Sequence, residues 1–395
     1  MLLTDALKEF IRQHTNDDLN DLLLKASRYP GIDIPFVVDQ LSARRQIKEK
    51  LPTWYCNEAL IFPSKIAAEQ CSSEPTAYYK QRLVNSDDHL VDLTGGLGVD
   101  TWAFSQKVKK VTYIERFPTY CKAASHNFKH LNASNIQLVE GDATQIIQTL
   151  NDIDVIYIDP ARRKEGNKRA YALQECEPDL ISLLPVLFEK APRIIAKISP
   201  MADIRLTSDL LPKTTAIHIL SVKNECKELL FVLEKNKAVE TPFIHCINFT
   251  TANKEESFEF TLIEEQSATA FFIEQTGTYL YEPNASILKA GAFKSVSTQF
   301  GLGKIAVSSH LYSSNQLIET FPGRIFQIEE IIPFNNKAIK QFAKNTPQAN
   351  ITVRNFPLSV DELRKRTGIK DGGSIYLFAT TTQAKEKIIL RCCQL

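Results

Sequence analysis

Apolar and polar positions follow two rhythms along this chain. In residues 1–85 the spacing is helical: Leu3, Ala6, Leu7, Phe10 and Ile11 share a face, as do Leu19, Leu22, Leu23 and Ala26. Tyr29-Pro30-Gly31 breaks that pattern, and Val37, Val38, Leu41 and Ile47 resume it. From Leu90 short apolar runs take over, at Leu90-Val91, Val111–Ile114, Ile136–Val139, Val155–Ile158 and Ile194–Ile198, with helix-length stretches between them. Strands alternating with helices predict an α/β domain around a parallel sheet. Ile217–Val222 and Glu228–Leu233 read as a closing antiparallel hairpin, with Asn224–Lys227 as its turn. Beyond residue 237 short strands such as Phe258–Leu262 alternate with turns, and Tyr281–Phe293 reads as a loop leading into a helix. From residue 321 a strand at Phe326–Ile332, a helix at Lys337–Lys344, strands at Ile351–Arg354 and Ile375–Ala379 and a capped helix from Ser359 predict a compact α+β unit. The expected divisions are 1–85, 86–236, 237–320 and 321–395.

The chemistry gathers at the strand ends. After Leu90-Val91 come Asp92 and the loop Leu93-Thr94-Gly95-Gly96-Leu97-Gly98, and Val99, Asp100 and Thr101 start a helix. Glycine lets the backbone turn with positive φ and lets a ligand lie close to it. The run at Val111 ends in Glu115, 20 residues after Gly95, the spacing at which a carboxylate meets ribose hydroxyls. The third run ends in Gly141-Asp142 and the fourth in Asp159-Pro160. A dinucleotide-binding Gly-x-Gly-x-x-Gly loop is the competing reading, but Thr101 stands where its third glycine belongs. Asp92 and Asp100 would also oppose a pyrophosphate.

In order and spacing these four motifs resemble those of the class I S-adenosylmethionine-dependent methyltransferases, over roughly residues 65–235. The resemblance implies a Rossmann-like, seven-stranded sheet that binds S-adenosyl-L-methionine. Asp92, Thr94, Gly95, Gly96, Gly98 and Asp100 would shape the pocket for its amino-acid end. Glu115 and Arg116 would meet the ribose, and Asp142 and Ala143 the adenine. Asp159, Pro160, Arg162 and Arg163 would form the methyl-transfer site. Enzymes that methylate exocyclic amines often carry Asp/Asn-Pro-Pro-aromatic there, whereas this chain reads Asp159-Pro160-Ala161-Arg162. The departure leaves room for a ring nitrogen, a sugar hydroxyl, or an amine held by another aromatic such as Tyr171. Five basic residues lie within 162–169, on a loop placed to meet phosphate. Lys197 interrupts an apolar strand and is expected to point into the site.

Composition narrows the class. The chain has 395 residues, 44% hydrophobic and 24% charged, with a net charge of +1. No global field draws it to nucleic acid or membrane, so any such attraction is local. No apolar run is long enough for a transmembrane helix. The first residues lack a secretory signal pattern, and the eight cysteines show no Cys-x-x-Cys spacing, so a reducing cytoplasm is expected and no metal site.

Three further stretches carry expectations. Arg44, Arg45, Lys48 and Lys50 read as a solvated face or a phosphate contact. Gln70, Ser72, Ser73 and Lys80 precede the glycine loop as candidate lid contacts over the cofactor; the alternative is a helix cap, with Ser73 or Thr76 capping the helix that holds Tyr78 and Tyr79. The C-terminal unit resembles the THUMP-like domain of a group of methyltransferases, and the whole chain resembles that group. THUMP domains present RNA to modification enzymes, so Arg354, Arg364, Lys365, Arg366 and Lys370 are candidates for a basic face. The expected activity is methylation of an RNA nucleoside in tRNA or rRNA, with no membrane and no obligate protein partner. The alternatives are a small-molecule or protein methyltransferase, or a non-catalytic binding protein.

Overall fold

The computed structural model describes residues 3–162, 173, 176–237, 239–251 and 254–395. The chain separates into two units. One holds Met1–Thr215 and Leu229–Val239, the other Ala216–Glu228 and Glu240–Leu395.

The first unit begins with α1 (Asp5–Gln13), α2 (Leu19–Leu24), α3 (Ile34–Ile47), α4 (Pro52–Cys56), α5 (Lys65–Gln70) and α6 (Glu74–Lys80). Thr4, Asp18, Asp33 and Ser64 cap α1, α2, α3 and α5 through side-chain oxygens. Then follow β1 (His89–Asp92), α7 (Val99–Ser105), β2 (Lys110–Glu115), α8 (Pro118–His130), β3 (Ile136–Glu140), α9 (Ala143–Thr149) and β4 (Val155–Ile158). The short β5 (Ala161–Arg162) and β6 (Cys176–Glu177) pair with each other. After them come α10 (Leu180–Lys190), β7 (Arg193–Ile198), α11 (Ile204–Leu210), β8 (Thr214–Val222), most of which belongs to the second unit, and β9 (Glu225–Glu234), which the first unit holds from Leu229. Within this unit the hydrogen-bonded order is β3-β2-β1-β4-β7-β9. The first five of these strands run parallel, and β9 is antiparallel to β7.

This order places the site. From β1 the chain winds to one side through β2 and β3, and then returns to β4 and β7 on the other. Consecutive connections therefore diverge between β1 and β4. Open α/β sheets bind ligands at such a switch point, beyond the carboxyl ends of the strands.

The N-terminal helices pack on the unit through Trp54, Phe62, Ile47 and Ala68, which share a core with Trp102, Tyr113 and Phe128. Among the described residues the extended segment Ile61-Phe62 has no strand partner, yet its backbone is satisfied. Gln40 donates to the Phe62 carbonyl at 2.8 Å and accepts from its N–H at 2.9 Å. Asn127 does the same for Ile61, both bonds at 2.8 Å. Two buried amides thus stand in for neighbouring strands.

The basic residues of α3 are neither a plain solvated face nor open to ligand throughout. Arg44 is buried and donates to the carbonyls of Tyr55, Asn57, Glu58 and Leu60, while Arg45 binds the carbonyls of Thr15 and Asp17. Chain ends at α1 and α4 leave those carbonyls without helical partners, and the guanidiniums supply them.

In the second unit β8 pairs parallel with β10 (Phe243–Phe249), which pairs antiparallel with β11 (Glu255–Thr261). The turn into β9 is Lys223-Asn224, two residues with positive φ, tighter than the Asn224–Lys227 turn expected. After α12 (Leu262–Ser267), Tyr281 lies on a strand, β12 (Tyr279–Pro283), where a loop was expected. Then come α13 (Ala285–Ala290), α14 (Phe293–Phe300), β13 (Gly303–Lys304), β14 (Tyr312–Ser314), β15 (Gly323–Pro333), α15 (Asn336–Asn345), β16 (Asn350–Arg354), α16 (Val360–Thr367), β17 (Ile375–Thr381) and β18 (Lys387–Gln394). Their sheet runs β13-β14-β12-β15-β18-β17-β16. The capping box read at Ser359 and Glu362 forms at the start of α16.

The Gln40 and Asn127 amides give the first testable consequence. Gln40→Leu and Asn127→Leu each leave a buried N–H and C=O unpaired. Each is expected to destabilise the first unit by about 2 kcal/mol, read as a lower urea midpoint.

Candidate functional site

The glycine loop leaves β1 and closes on itself, with the Gly98 N–H donating to the Gly95 carbonyl at 2.9 Å. Gly96 and Gly98 have φ of 53° and 86°, so the loop needs glycine at both. Gly95 is required for space instead: a Cβ there would come 2.2 Å from the Tyr113 ring. The Tyr113 hydroxyl in turn donates to the Gly96 carbonyl at 2.6 Å.

A cleft of about 510 Å³ opens over this loop. Asp92, Thr94, Gly95, Gly96, Gly98, Asp100, Glu115, Arg116, Asp142 and Ala143 all line it, as does Asp159. The structure therefore gathers every residue expected around the cofactor. At the transfer end it is selective. Pro160 is buried, only the backbone of Arg162 is described, and Arg163, Lys164, Lys168, Arg169 and Tyr171 lie outside the described residues.

Each strand-end acid has its own setting. Asp92 is 1% exposed and accepts from the Thr101 hydroxyl at 2.5 Å and the Thr94 N–H at 3.0 Å. Burial pushes its carboxyl up to about 7, against those two hydrogen bonds and with Asp100 and Asp159 adding to the rise. Glu115 spans the loop base, accepting from the Gly96 N–H at 3.0 Å and the Phe117 N–H at 2.9 Å. Asp142 caps α9 by accepting from the Thr144 N–H at 2.8 Å, and the Thr144 bonds hold its carboxyl below the ordinary value.

Asp159 is the paired acid. Lys197, buried on β7, donates to its Oδ2 at 2.6 Å. The Asp159 N–H donates to the Thr94 hydroxyl at 2.7 Å. Thr94 therefore joins the end of β4 to the end of β1.

Asp100 behaves differently from its neighbours. Its Oδ1 takes Lys80 at 2.8 Å, and its Oδ2 takes the Ser72 hydroxyl at 2.8 Å and the Tyr157 hydroxyl at 2.7 Å. Burial would raise this carboxyl, but the charges of Lys80 and Lys197 and these hydrogen bonds outweigh it and hold it at about 2. Lys80 is fully buried and also donates to Ser72 at 2.8 Å, so it is no exposed lid contact. Gln70 and Ser72 do line the cleft. Ser73 stands at the N-cap of α6, but its hydroxyl meets that of Thr76, at 3.2 Å, in place of a backbone N–H.

Sequence reasoning missed three contributors. Tyr157 sits inside a strand and reads as core. Phe117 lines the cleft with half its surface exposed, beneath the Arg116 guanidinium at 4.8 Å. Glu177 reaches the cleft from β6 and pairs with Arg116 at 2.6 Å. The exposed aromatic directly after Glu115-Arg116 was the one legible signal.

A parallel sheet with this order, a glycine loop after β1 and acids at four strand ends define a class I methyltransferase architecture. Comparison with known proteins agrees. The family model for protein-L-isoaspartate(D-aspartate) O-methyltransferase matches residues 50–168, a ferredoxin-like domain matches 279–322, and a THUMP domain-like model matches 323–394. A protein of Porphyromonas gingivalis W83, assigned as a methyltransferase and known by its crystal structure, is 36% identical over 100% of both chains, with a TM-score of 0.89. An uncharacterised S-adenosylmethionine-dependent methyltransferase of Mycobacterium tuberculosis H37Rv is 21% identical over 86% of this chain and 90% of its own. A protein-L-isoaspartate O-methyltransferase of Nitrobacter winogradskyi is 29% identical over 33% of this chain and 59% of its own. This chain belongs to the class I S-adenosylmethionine-dependent methyltransferases that carry a THUMP-like domain.

The Lys80–Asp100 pair gives a direct test of the site's support. Lys80→Met removes the nearest counter-charge of a buried carboxylate and is expected to cost about 3–5 kcal/mol. Adding Asp100→Asn to Lys80→Met should recover most of that loss, as read from urea midpoints of the two variants.

Proposed function

We propose that this methyltransferase acts on a nucleoside in RNA. The observation that carries the reading is the Asp159–Lys197 pair in the same cleft as Asp92, Glu115 and Asp142, in a chain whose residues 323–394 match a THUMP-like domain.

The donor set fits the cofactor. The acid-lined cleft suits a ligand with an ammonium and a sulfonium and no phosphate. Asp92 and the loop backbone from Gly95 to Gly98 would hold the amino-acid end. Glu115 would accept the ribose hydroxyls, and Phe117 would offer its open face to the adenine, with Asp142 and Ala143 at the ring's edge. When bound, S-adenosylmethionine supplies an activated methyl group on sulfur. The chain's own residues do the rest. Asp159 accepts a hydrogen bond from the nucleophile's N–H or O–H and takes its proton as the bond to carbon forms. Lys197 is a positioning residue: its ammonium fixes one Asp159 oxygen and leaves the other for the substrate. Thr94 holds the Asp159 backbone in register with the cofactor loop. This fixed geometry favours an in-line approach.

The basic residues at 162–169 would meet substrate phosphate. In the second unit the expected basic face is smaller than the sequence implied. Arg354 donates to Glu282 at 2.9 Å, Arg364 to Asp371 and two carbonyls, and Arg366 to Asn336. Lys365, Arg366 and Lys370 remain as exposed cations there, since the Asn336 amide leaves the Arg366 charge uncancelled.

The match of residues 50–168 to the isoaspartate O-methyltransferase model favours a second reading, in which a protein carboxylate is the acceptor. Incubation with radiolabelled S-adenosylmethionine and RNA from cells lacking the gene, beside a protein pool, separates the two. Label in RNA that disappears with Asp159→Ala, while calorimetric cofactor binding persists, is the expected result. Base-labile label in protein and none in RNA would replace the RNA reading with the second one.

The Asp92 carboxyl adds a pH test. Its folded pKa, near 7, lies above the ordinary 3.8, so the group stabilises the cofactor-free protein below about pH 4 and loses that contribution as pH rises through 7. A cationic ligand favours the ionised form. Cofactor affinity is therefore expected to rise about 10-fold from pH 6 to pH 8. Calorimetry on Asp92→Asn should give a flat profile over the same range.

A further inference from the structure

A second pocket, of about 440 Å³, lies among the N-terminal helices of the first unit. Its size falls within the range of small-ligand sites. Its walls divide by chemistry. Leu3, Ile11, Leu41 and Tyr55 make an apolar side, and Lys8, Arg12, Arg44, Arg45 and Lys48 bring cations against the single carboxylate of Glu58.

The cations are unevenly neutralised. Lys8 pairs with Asp5 at 3.1 Å, and Arg12 with Glu9 on the surface. Among the described residues no carboxylate forms an ion pair with Arg44, Arg45 or Lys48. Arg44 is only 8% exposed, its Nη atoms meet carbonyls, and its Nε has no hydrogen-bond partner. Burial pushes this guanidinium down, although Glu58 nearby raises it. Carbonyls satisfy donors without cancelling charge, so the wall keeps a net positive potential in a partly desolvated setting. Lys48 lies over the Tyr55 ring at 5.9 Å, which puts an exposed ammonium beside an aromatic face.

We propose that this pocket is a nucleotide subsite, in which a phosphate meets Arg45, Lys48 and Arg12 and a base lies against Tyr55 and the apolar side. Sequence-tolerant binding of single strands combines these two elements, cations along the backbone and an aromatic for a base. The inference deepens the RNA reading and rests on it for the source of the nucleotide. A free nucleotide offers the same chemistry, and the test separates the two.

The probes are a short fluorescein-labelled single-stranded oligoribonucleotide, followed by anisotropy, and adenosine monophosphate, followed by calorimetry. The full chain is compared with Lys48→Glu and Arg12→Gln, singly and together, after thermal unfolding has shown that they fold. Lys48→Ala replaces the charge reversal if that variant does not fold. The expected result is oligoribonucleotide binding about 10-fold weaker in the double variant, with a salt slope shallower by about 0.7 for each phosphate that the variant no longer neutralises. If the native chain binds the strand and the variants match it in affinity and slope, the pocket proposal falls and the RNA reading stands. If the native chain ignores the strand but binds adenosine monophosphate, and the variants do not, the pocket stands and the RNA reading falls. If neither probe binds the native chain, the pocket proposal is overturned.

Discussion

A buried charge pair underlies the cofactor loop. Lys80 has no exposed surface, and its ammonium meets Asp100 at the start of α7 and Ser72 between α5 and α6. Tyr157 on β4 completes the set through the same carboxylate. Burying two charges costs several kcal/mol each, and a pair repays this only with good geometry and further hydrogen bonds. Here both Asp100 oxygens are used and the donors come from three separate elements. The arrangement is specific because no partial version is tolerable. It fixes the segment that supplies Gln70 and Ser72 to the cleft, the helix into which the loop runs, and the strand that leads to Asp159.

The same logic runs through Thr94. Its hydroxyl accepts the Asp159 N–H, and its own N–H donates to Asp92. The ends of β1 and β4, where the winding reverses, are thus tied by one small side chain. Lys197 adds a second tie, from β7 to the Asp159 carboxylate. Replacing the second proline and the aromatic of the amine-methylating motif with Ala161-Arg162 removes a rigid frame for Asp159. Lys197 and Thr94 supply a different one, made of a salt bridge and a backbone hydrogen bond.

The strands, their order of chemistry and the acids at their ends were legible, because short apolar runs and glycine turns are local signals. The pocket-lining set from Asp92 to Ala143 follows from those signals plus the known direction of a parallel sheet. Lys80 was not legible as a structural cation, since its partner Asp100 is twenty residues away and on another element. Tyr157 hides in an apolar run, and only the fold shows that its hydroxyl reaches Asp100. The α3 arginines misled for the opposite reason: sequence shows charge, but not the carbonyls of Tyr55, Glu58 and Leu60 that take the Arg44 hydrogens. Gln40 and Asn127 gave no signal either, because a buried amide that replaces a strand neighbour looks like any polar residue on a helix.

Net charge bears on the proposed RNA substrate. At +1 overall, the chain cannot rely on a long-range field, so attraction has to come from places where cations lack carboxylate partners. Much of the visible positive charge fails that condition. Arg324 and Arg354 both serve Glu282, which is 2% exposed, and Arg364 closes the turn at Asp371. Arg193 is held by Glu234 and Arg116 by Glu177. In the described first unit the α3 wall meets the condition, because carbonyls take the guanidinium hydrogens but leave the charge. A substrate phosphate gains most where the protein has already met the cost of desolvating a cation without cancelling it. By that criterion the α3 wall qualifies beside Lys365 and Arg366 of the C-terminal helix, and it alone of the two is partly desolvated, through the buried Arg44.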